Sequence, residues 1–576
     1  MNVINEGLRE LIRKHALKNA MDYGKADVSS VMNKVIPAAK QQNVPVPELR
    51  SNVETIVDEI NAMDKSAIEK AYSSFSEEFE TVMRDKREKS AKPRMVLDGA
   101  IEGDFATRFP PEPNGYLHVG HAKPLFLEDA FRDIYKGKLF LYFDDTNPKK
   151  EKQEYVDAIK KDLEWLGVRF DKEYYASDNV PKTYDMGKKL IESGKAYACS
   201  CSPEEIKKLR FEGKACVHRE RPAEESLEIF EKIISRSYDK DDTVIRFKGE
   251  MEAANTTLRD PNIFRIVREK HYRQNDKYCL WPTYSFNTPI NDSLNGVTDV
   301  IRSKEYELGD ELYRRILNAL GLRCPRLHLE SRFNIMGNVT SKRKLVEFIG
   351  KGLLSGFDDP RLVTISALRR RGVVPEAIKR FVLRQGMSKV DSTMRLSMLL
   401  DENKKLIDTN AKRLFFVTEP KELFFDDGSI GNVEIPLHPS NTKLGSRSYY
   451  IKSSHVMINS EDAELYKGKN VRLKGIGIVK ISYEDGAYHA DRVKGDDGYI
   501  NTIQWTTEDS PKASVIIPGN PVDENGDYNS DSLKRIEGII EPYAEKIAIN
   551  ESVQLERFGF ATLDKKDPIE LIFMTK

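Results

Sequence analysis

Leu139-Phe140-Leu141-Tyr142-Phe143 is a short apolar run that stops at Asp144-Asp145-Thr146-Asn147-Pro148. A run of this length suits a strand buried on both faces of a parallel sheet. Asn147 is placed to cap, and Pro148 to occupy the first position of, a helix that carries Tyr155, Ile159, Leu163 and Leu166 on one face and stops at Gly167. The spacing therefore predicts a strand-turn-helix unit of a nucleotide-binding sheet. Asp144 falls at the carboxyl end of its strand, where ligands of such sheets bind.

The chain around this unit is long enough for several domains. Its 576 residues allow about four domains by the usual length prior. Residues 1 to about 80 show helical periodicity in Leu8, Leu11 and Ile12 and in Val53, Ile56, Val57 and Ile60, with Pro45-Val46-Pro47 separating two helical blocks. The charged, proline-containing stretch Arg84 to Arg94 reads as a linker, and strands alternate with helices from Ile101 onward. After about residue 412 the texture changes to short strands with Gly, Asn and Asp turns. These are Ser448 to Ile451, Val471 to Lys474, Gly475 to Ile481, Tyr499 to Trp505 and Ser514 to Ile517, and the pattern suggests β-barrels.

Lys+Arg and Asp+Glu both number 92, so bulk charge gives no argument for a polyanionic partner, and any nucleic-acid surface must be local. Arg84 to Arg94 and Arg369-Arg370-Arg371 are local basic runs of a kind that ordinarily forms solvated linkers or helix faces. The sequence lacks both a long apolar span and a cleavable leader pattern, which predicts a cytoplasmic protein without a membrane partner. Five cysteines without an export signal point to thiols or metal ligands rather than a disulfide framework.

Two segments carry chemistry. In Arg108-Phe-Pro-Pro-Glu112-Pro-Asn114-Gly-Tyr-Leu-His118-Val-Gly120-His121, a proline-rich turn and an Asn-Gly breaker lead into a helix start near Gly120. Free backbone N–H groups and the positive helix end would face the phosphates of ATP, with His118 and His121 as added donors and Pro124 in the first turn. Asn338-Val339-Thr340-Ser341-Lys342-Arg343-Lys344 reads as a mobile basic loop, whose Lys342 could follow departing pyrophosphate.

The order of these segments, together with Phe105 to Lys123, Phe143 to Pro148, Leu280 to Phe286, Thr340 to Leu345 and Asp358 to Gly372, resembles the class I aminoacyl-tRNA synthetases of the glutamyl/glutaminyl branch. Within that branch it is similar to the archaeal-type glutamyl-tRNA synthetases, and the likeness covers most of residues 100 to 410. The resemblance implies a multidomain α/β plus β fold. A helical N-terminal appendage and linker would span 1–98. A Rossmann-like catalytic domain would span 99–340, with an acceptor-binding insertion at about 180–290. A helical connecting subdomain would follow at 341–411, and β-barrel anticodon-binding domains at 412–576.

It also implies roles for single residues. His118, His121 and Lys342 would be catalytic, with Glu112, Asn114, Gly120, Arg332, Thr340 and Ser341 completing the ATP site. Arg108, Asp144 and Tyr284 would hold the amino acid, through an ammonium-binding carboxylate and donors for carboxyl oxygens. Val339 stands where the general signature has lysine, Tyr142 where relatives usually carry Arg and Ser285 where they often carry Asp. Arg302 supplies a cation for a glutamate side chain, and a buried unpaired cation would penalise the neutral amide of glutamine. Glutaminyl relatives have a small neutral residue at that position and Gln at the position of Leu327.

Cys199-Ser-Cys201 and Cys216-Val-His218 form two close pairs flanking a predicted helical excursion, as a tetrahedral zinc knuckle needs, and they resemble the zinc-binding insertion of some glutamyl enzymes. Reduced structural thiols are the competing reading, and Cys279 and Cys324 lie in apolar surroundings as core residues. The function implied is ligation of L-glutamate to tRNA(Glu) through a glutamyl adenylate, with ATP and Mg2+, by a monomer. Charging of tRNA(Gln) is left open. The alternatives are a glutaminyl enzyme, a small nucleotidylyltransferase and a non-catalytic RNA-binding scaffold.

Overall fold

The computed structural model describes residues 5–42, 44–73, 95–339, 341–428, 430–493, 495 and 500–576. The chain divides into two compact units, Met1–Pro93 and Arg94–Lys576. In the first, α1 (Glu6–Tyr23), α2 (Val28–Gln41), α3 (Val46–Asn61) and α4 (Lys65–Ser73) pack around Leu8, Ile12, Val31, Val35, Val53 and Ile56. The expected proline break is a helix start. Pro45 takes the N-cap position of α3 and Pro47 lies in its first turn, where a missing N–H costs nothing. The anticipated linker from Arg84 to Arg94 lies outside the described residues.

The second unit begins its sheet with β1 (Ala106–Phe109), followed by α5 (Val119–Ile134), β2 (Lys138–Phe143), α6 (Gln153–Leu166) and β3 (Lys172–Tyr175). The three strands are parallel, with Arg108 opposite Phe140 and Phe143 opposite Tyr175. The strand anticipated at Leu139–Phe143 is thus present and buried, and Gly167 closes α6 in the left-handed conformation at φ 74°. The helix start differs from expectation. Asn147 accepts from the Lys150 N–H in a turn, and α6 begins only after Lys152, whose N–H is held by the Pro113 carbonyl. That tether to the preceding loop takes up the residues that Asn147 and Pro148 would have placed in the helix.

Farther along come α7 (Tyr284–Leu294), β4 (Asp299–Ser303), α8 (Asp310–Leu320), β5 (Arg326–Glu330) and α9 (Lys342–Gly350). β4 and β5 pair in parallel, and the Thr298 N–H donates to the Ala106 carbonyl at 2.8 Å, which joins this pair to β1. Between β3 and α7 lies a separate antiparallel sheet of Ala196–Cys199, Val244–Phe247, Asn262–Ile266 and Leu280–Pro282, with its own core around Phe230, Phe264 and Trp281.

Beyond residue 411 the described residues hold one short α-helix, Ser460–Leu465, and build a two-stranded sheet and two larger sheets that nearly close. In the seven-stranded sheet, Lys412–Leu414 and Phe416–Thr418 sit at opposite ends of the strand order, yet only Phe415 separates them in the chain. In the six-stranded sheet the edge strand His455–Asn459 reaches the far edge through a bridge between Met457 and Thr506. The barrel expectation therefore holds. Of the anticipated strand Tyr499 to Trp505, Tyr499 lies outside the described residues and the strand among the rest is Thr502–Ile503. Arg369 to Arg371 is not a solvated basic face. Arg370 grips Asp564 through two 2.8 Å bonds and Arg371 is buried. Among the described residues no helix is long and apolar enough to cross a membrane.

Candidate active site

The loop after β1 and the N-terminus of α5 form one wall of a cavity of about 760 Å³, and β4, β5 and α9 form the other. Arg108, Glu112, Asn114, His118, Gly120, His121, Asp144, Tyr284, Arg302, Arg332, Ser341 and Lys342 all line it, so the candidate residues for nucleotide and amino acid converge on one space. Thr340 lies outside the described residues.

His118 is the N-cap of α5, and its Nδ1 accepts from the Gly120 N–H at 3.0 Å, while the His118 N–H donates to Nδ1 of His121 at 3.2 Å. A β-carbon on Gly120 would lie 2.7 Å from His118 Cε1, so only glycine permits this cap. The expectation of free N–H groups is corrected. The Val119 N–H donates to the Val363 carbonyl, and those of Gly120 and His121 turn back to His118. Polar donation into the cavity falls instead to the ring Nε2–H groups, because both Nδ1 atoms are acceptors. Burial holds His121 down at about pKa 4 and His118 well below its usual range, so both rings are neutral at pH 7. Pro124 is the sixth residue of α5 rather than part of its first turn, and having no N–H it cannot donate to the Gly120 carbonyl.

The anticipated basic loop is a helix start. Ser341 is the N-cap of α9 and Lys342 its first residue, with Nζ 4.4 Å from the centre of the Tyr155 ring. Burial, then the neighbouring Lys152, lowers the Lys342 pKa. Arg332 pairs with Glu305 at 2.7 Å at the cavity rim.

On the side of the cavity toward α7, Asp144 is half-buried and accepts from Asn287 Nδ2 at 3.1 Å, and the same amide nitrogen donates to the Tyr142 hydroxyl at 3.0 Å. Burial, followed by Glu151, Glu112 and Asp145, pushes Asp144 up to about 8. Its neighbour Asp145 plays a different part, accepting from the Ser177 N–H, the Ser177 hydroxyl and Tyr272, which ties the sheet to the insertion. Ser285 is exposed and absent from the cavity wall, and Leu327 packs with Ala106 and Phe140 away from it.

Both arginines are already paired. Arg108 Nε and Nη2 donate to Asp292 at 2.8 and 3.2 Å. Burial alone would lower its pKa, and the Asp292 carboxylate overrides this and raises it. Arg302, anticipated as an unpaired cation, contacts Asp310 through Nη2, although its buried Nε has no partner. Asp292 and Asp310 were not apparent from the sequence: Asp292 meets Arg108 across 184 residues of chain, and Asp310, though only 8 residues past Arg302, carries no pattern that marks the pairing. Lys123, Glu128 and Glu330 also line the cavity and are buried. The charges inside the otherwise apolar stretch Ala122 to Phe131 were the available signal for the first two.

Cys199, Cys201, Cys216 and His218 bring their ligand atoms within 4.8 Å of one another, on either side of the helix Pro203–Glu212. Sγ of Cys199 and Cys216 are 3.8 Å apart, and Cys201 Sγ lies 3.3 Å from His218 Nδ1. Ligands about 2.3 Å from a tetrahedral zinc are about 3.7 Å apart, so the set fits such an ion. Buried Arg246 adds a cation 3.6 Å from Cys216 Sγ. Cys279 is a core residue as anticipated, whereas Cys324 is only half-buried.

A parallel sheet with a histidine-capped helix start on one cavity wall, a lysine opposite and a carboxylate at a strand end is the arrangement of a class I synthetase catalytic core. The family described as tRNA synthetases class I (E and Q), catalytic domain, matches residues 104–408, and the anti-codon binding domains of the same family match 411–494 and 502–564. The chain belongs to this family. It is 36% identical to the glutamate–tRNA ligase of Nitrosopumilus maritimus, covering 98% of this chain and 99% of that one. It is also 37% identical to that of Cenarchaeum symbiosum, over 95% and 96% of the two chains, and 36% identical to that of Korarchaeum cryptofilum, over 98% and 99%.

Proposed function

We propose that this chain is a glutamate–tRNA ligase, which uses ATP to form glutamyl adenylate and then transfers the glutamyl group to a ribose hydroxyl at the 3′ end of tRNA(Glu), with AMP as the leaving group. The observation that carries the reading is the convergence of His118, His121 and Lys342 with Asp144 and Arg302 on one cavity. The near full-length likeness to proteins named glutamate–tRNA ligase supports it.

In this reading the substrate α-carboxylate attacks the α-phosphorus of ATP, and the carboxylate–phosphorus bond forms as the bond to pyrophosphate breaks. The Nε2–H groups of His118 and His121 donate to phosphate oxygens as negative charge builds there. Each ring carries its proton on Nε2 because its Nδ1 accepts from backbone, so donation needs no change of protonation state. Lys342 neutralises the departing pyrophosphate, and Mg2+ bound with ATP adds charge neutralisation on the phosphates. Asp144 pairs with the substrate ammonium, Arg108 and Tyr284 position its oxygens, and Arg302 takes the side-chain carboxylate. Glu112, Asn114, Gly120, Arg332, Thr340 and Ser341 enclose the nucleotide. The spans 1–98, 99–340, 341–411 and 412–576 serve as appendage, catalytic domain with acceptor-holding insertion, connector and anticodon reader, the last through unstacked bases. The Cys199, Cys201, Cys216 and His218 set holds a structural zinc.

Aminoacylation with labelled glutamate or glutamine, each against transcribed tRNA(Glu) and tRNA(Gln), tests the reading. Glutamate on tRNA(Glu) is expected. Glutamate on both tRNAs would define a non-discriminating enzyme, and glutamine charging or no charging would overturn the proposal.

A further inference from the structure

Arg108 on β1 and Arg302 on β4 reach the cavity from adjacent parts of the sheet, and each is gripped from behind by one acid. Asp292 on α7 holds Arg108, and Asp310, the first residue of α8, holds Arg302. Neither acid is part of the cavity wall. Tyr313, one turn along α8 from Asp310, links the two pairs. Its hydroxyl donates to Asp292 Oδ2 at 3.0 Å, and its ring centre lies 5.2 Å from the Arg302 guanidinium.

Three features bear on Arg302. Its side chain is only 7% exposed, so its charge sits in a medium where an unpaired cation is costly. The contact with Asp310 engages Nη2 and leaves the other donors of the fork for a second carboxylate, and the buried Nε is without a partner. Asp310 itself is the first residue of α8, so the start of a helix fixes the position of its side chain. Together these fix the guanidinium with one edge on Asp310 and the remainder at the cavity.

We propose that Asp310 is a positioning residue for side-chain specificity, holding Arg302 so that its remaining donors meet the substrate's terminal carboxylate. This rests on the reading that Arg302 binds that carboxylate. Without the anion behind it, the guanidinium is no longer fixed in this orientation and turns toward water, and selection of an acid over an amide declines. An acid that merely screened Arg302 would act in the opposite direction, since its removal would strengthen glutamate binding.

The test is aminoacylation of tRNA(Glu) by the full-length protein and by Asp310→Asn, with KM and kcat for glutamate, KM for ATP and the inhibition constant of glutamine as competitor. Asp310→Asn is expected to raise the glutamate KM by about tenfold or more, as loss of one member of a buried charge pair does. The ATP KM should stay within about twofold, so that the ratio of glutamine inhibition constant to glutamate KM falls. Asp310→Glu keeps the charge and should restore most of that ratio. It also provides the reading if Asp310→Asn does not fold, with a shift in glutamate KM and none in ATP KM expected. An unchanged or increased ratio in Asp310→Asn, or equal shifts in both KM values in either variant, overturns the proposal. A wild type that charges no glutamate overturns the functional reading and this one together. A working wild type beside a variant of unchanged discrimination overturns this one alone.

Discussion

The His118 and His121 rings lie against each other, 3.9 Å between centres and tilted by 34°, and each Nδ1 accepts from backbone, His118 from Gly120 and His121 from His118. Capping and the proposed phosphate contact thus use opposite nitrogens of the same ring, and the two roles separate by substitution. Asn is a good N-cap, so His118→Asn should keep stability within about 1 kcal/mol of wild type. Loss of the Nε2–H should lower kcat for adenylate formation by about a hundredfold or more. His118→Ala should show both losses. Thermal melts with single-turnover kinetics decide, and a folded His118→Asn of near wild-type rate would show that the ring serves only as a cap.

The pH dependence of amino-acid use follows from Asp144. Burial first, and then Glu151, Glu112 and Asp145, raise its pKa from the usual 3.8 to about 8 in the empty site. Only the ionised carboxylate pairs with an ammonium group. Glutamate kcat/KM should therefore climb by about tenfold per unit as pH rises toward about 8 and then level off. Asp144→Asn should be weaker throughout and lack this climb. A wild-type profile flat between pH 6 and 8, in contrast with that expectation, would remove Asp144 from the ammonium site.

The parts of this architecture set by local pattern were legible in the sequence. Leu139 to Phe143 suited a buried strand, Gly167 suited a helix end, and Cys199, Cys201, Cys216 and His218 stood out as two close pairs, which the fold brings together. The site's cations, Arg108 and Arg302, came from the resemblance to a known family rather than from local pattern, and their partners came from neither. Arg108 meets Asp292 across 184 residues of chain, and no periodicity encodes such a meeting. The misplaced start of α6 has a similar origin: the Lys152 N–H is held by the Pro113 carbonyl, so a tertiary hydrogen bond decides where that helix begins. The unforeseen cap by His118 depends on the absence of a β-carbon at Gly120, a steric fact visible only once the ring is in place.

Glu128 predicts an effect on stability. It is fully buried beside the cavity and neither carboxyl oxygen has a partner. Burial raises its pKa well above the usual 4.5, Arg108 opposes this, and Glu330 and Asp292 add to it. A carboxyl whose pKa is raised on folding contributes stability that is complete below pH 4.5 and is lost as pH climbs through the folded value. Glu128→Gln keeps the shape and does not titrate. Its stability relative to wild type should therefore increase between pH 5 and pH 8. Denaturant melts at the two pH values measure this directly, and parallel curves for the two proteins would mean that Glu128 is solvated in solution.

The cysteine cluster yields the last prediction through charge balance. Three thiolates and a neutral imidazole around a divalent ion leave one net negative charge, which is costly in a buried site. Arg246, itself buried, lies 3.6 Å from Cys216 Sγ and 3.9 Å from Cys199 Sγ, and its Nε is anchored on the Asp260 carbonyl. It supplies the compensating charge. The protein as isolated should hold one zinc per chain, and Cys216→Ser should lose it. Arg246→Gln, with all four ligands intact, should weaken zinc affinity by about ten- to a hundredfold in competition with a chromogenic chelator, as loss of an outer-sphere partner does. Arg246→Lys should recover part of the difference, because it restores the charge without the planar fork. Metal-free protein with freely titrating thiols would instead make Cys199, Cys201 and Cys216 reduced core residues, and an Arg246→Gln variant of unchanged zinc affinity would assign Arg246 to packing alone.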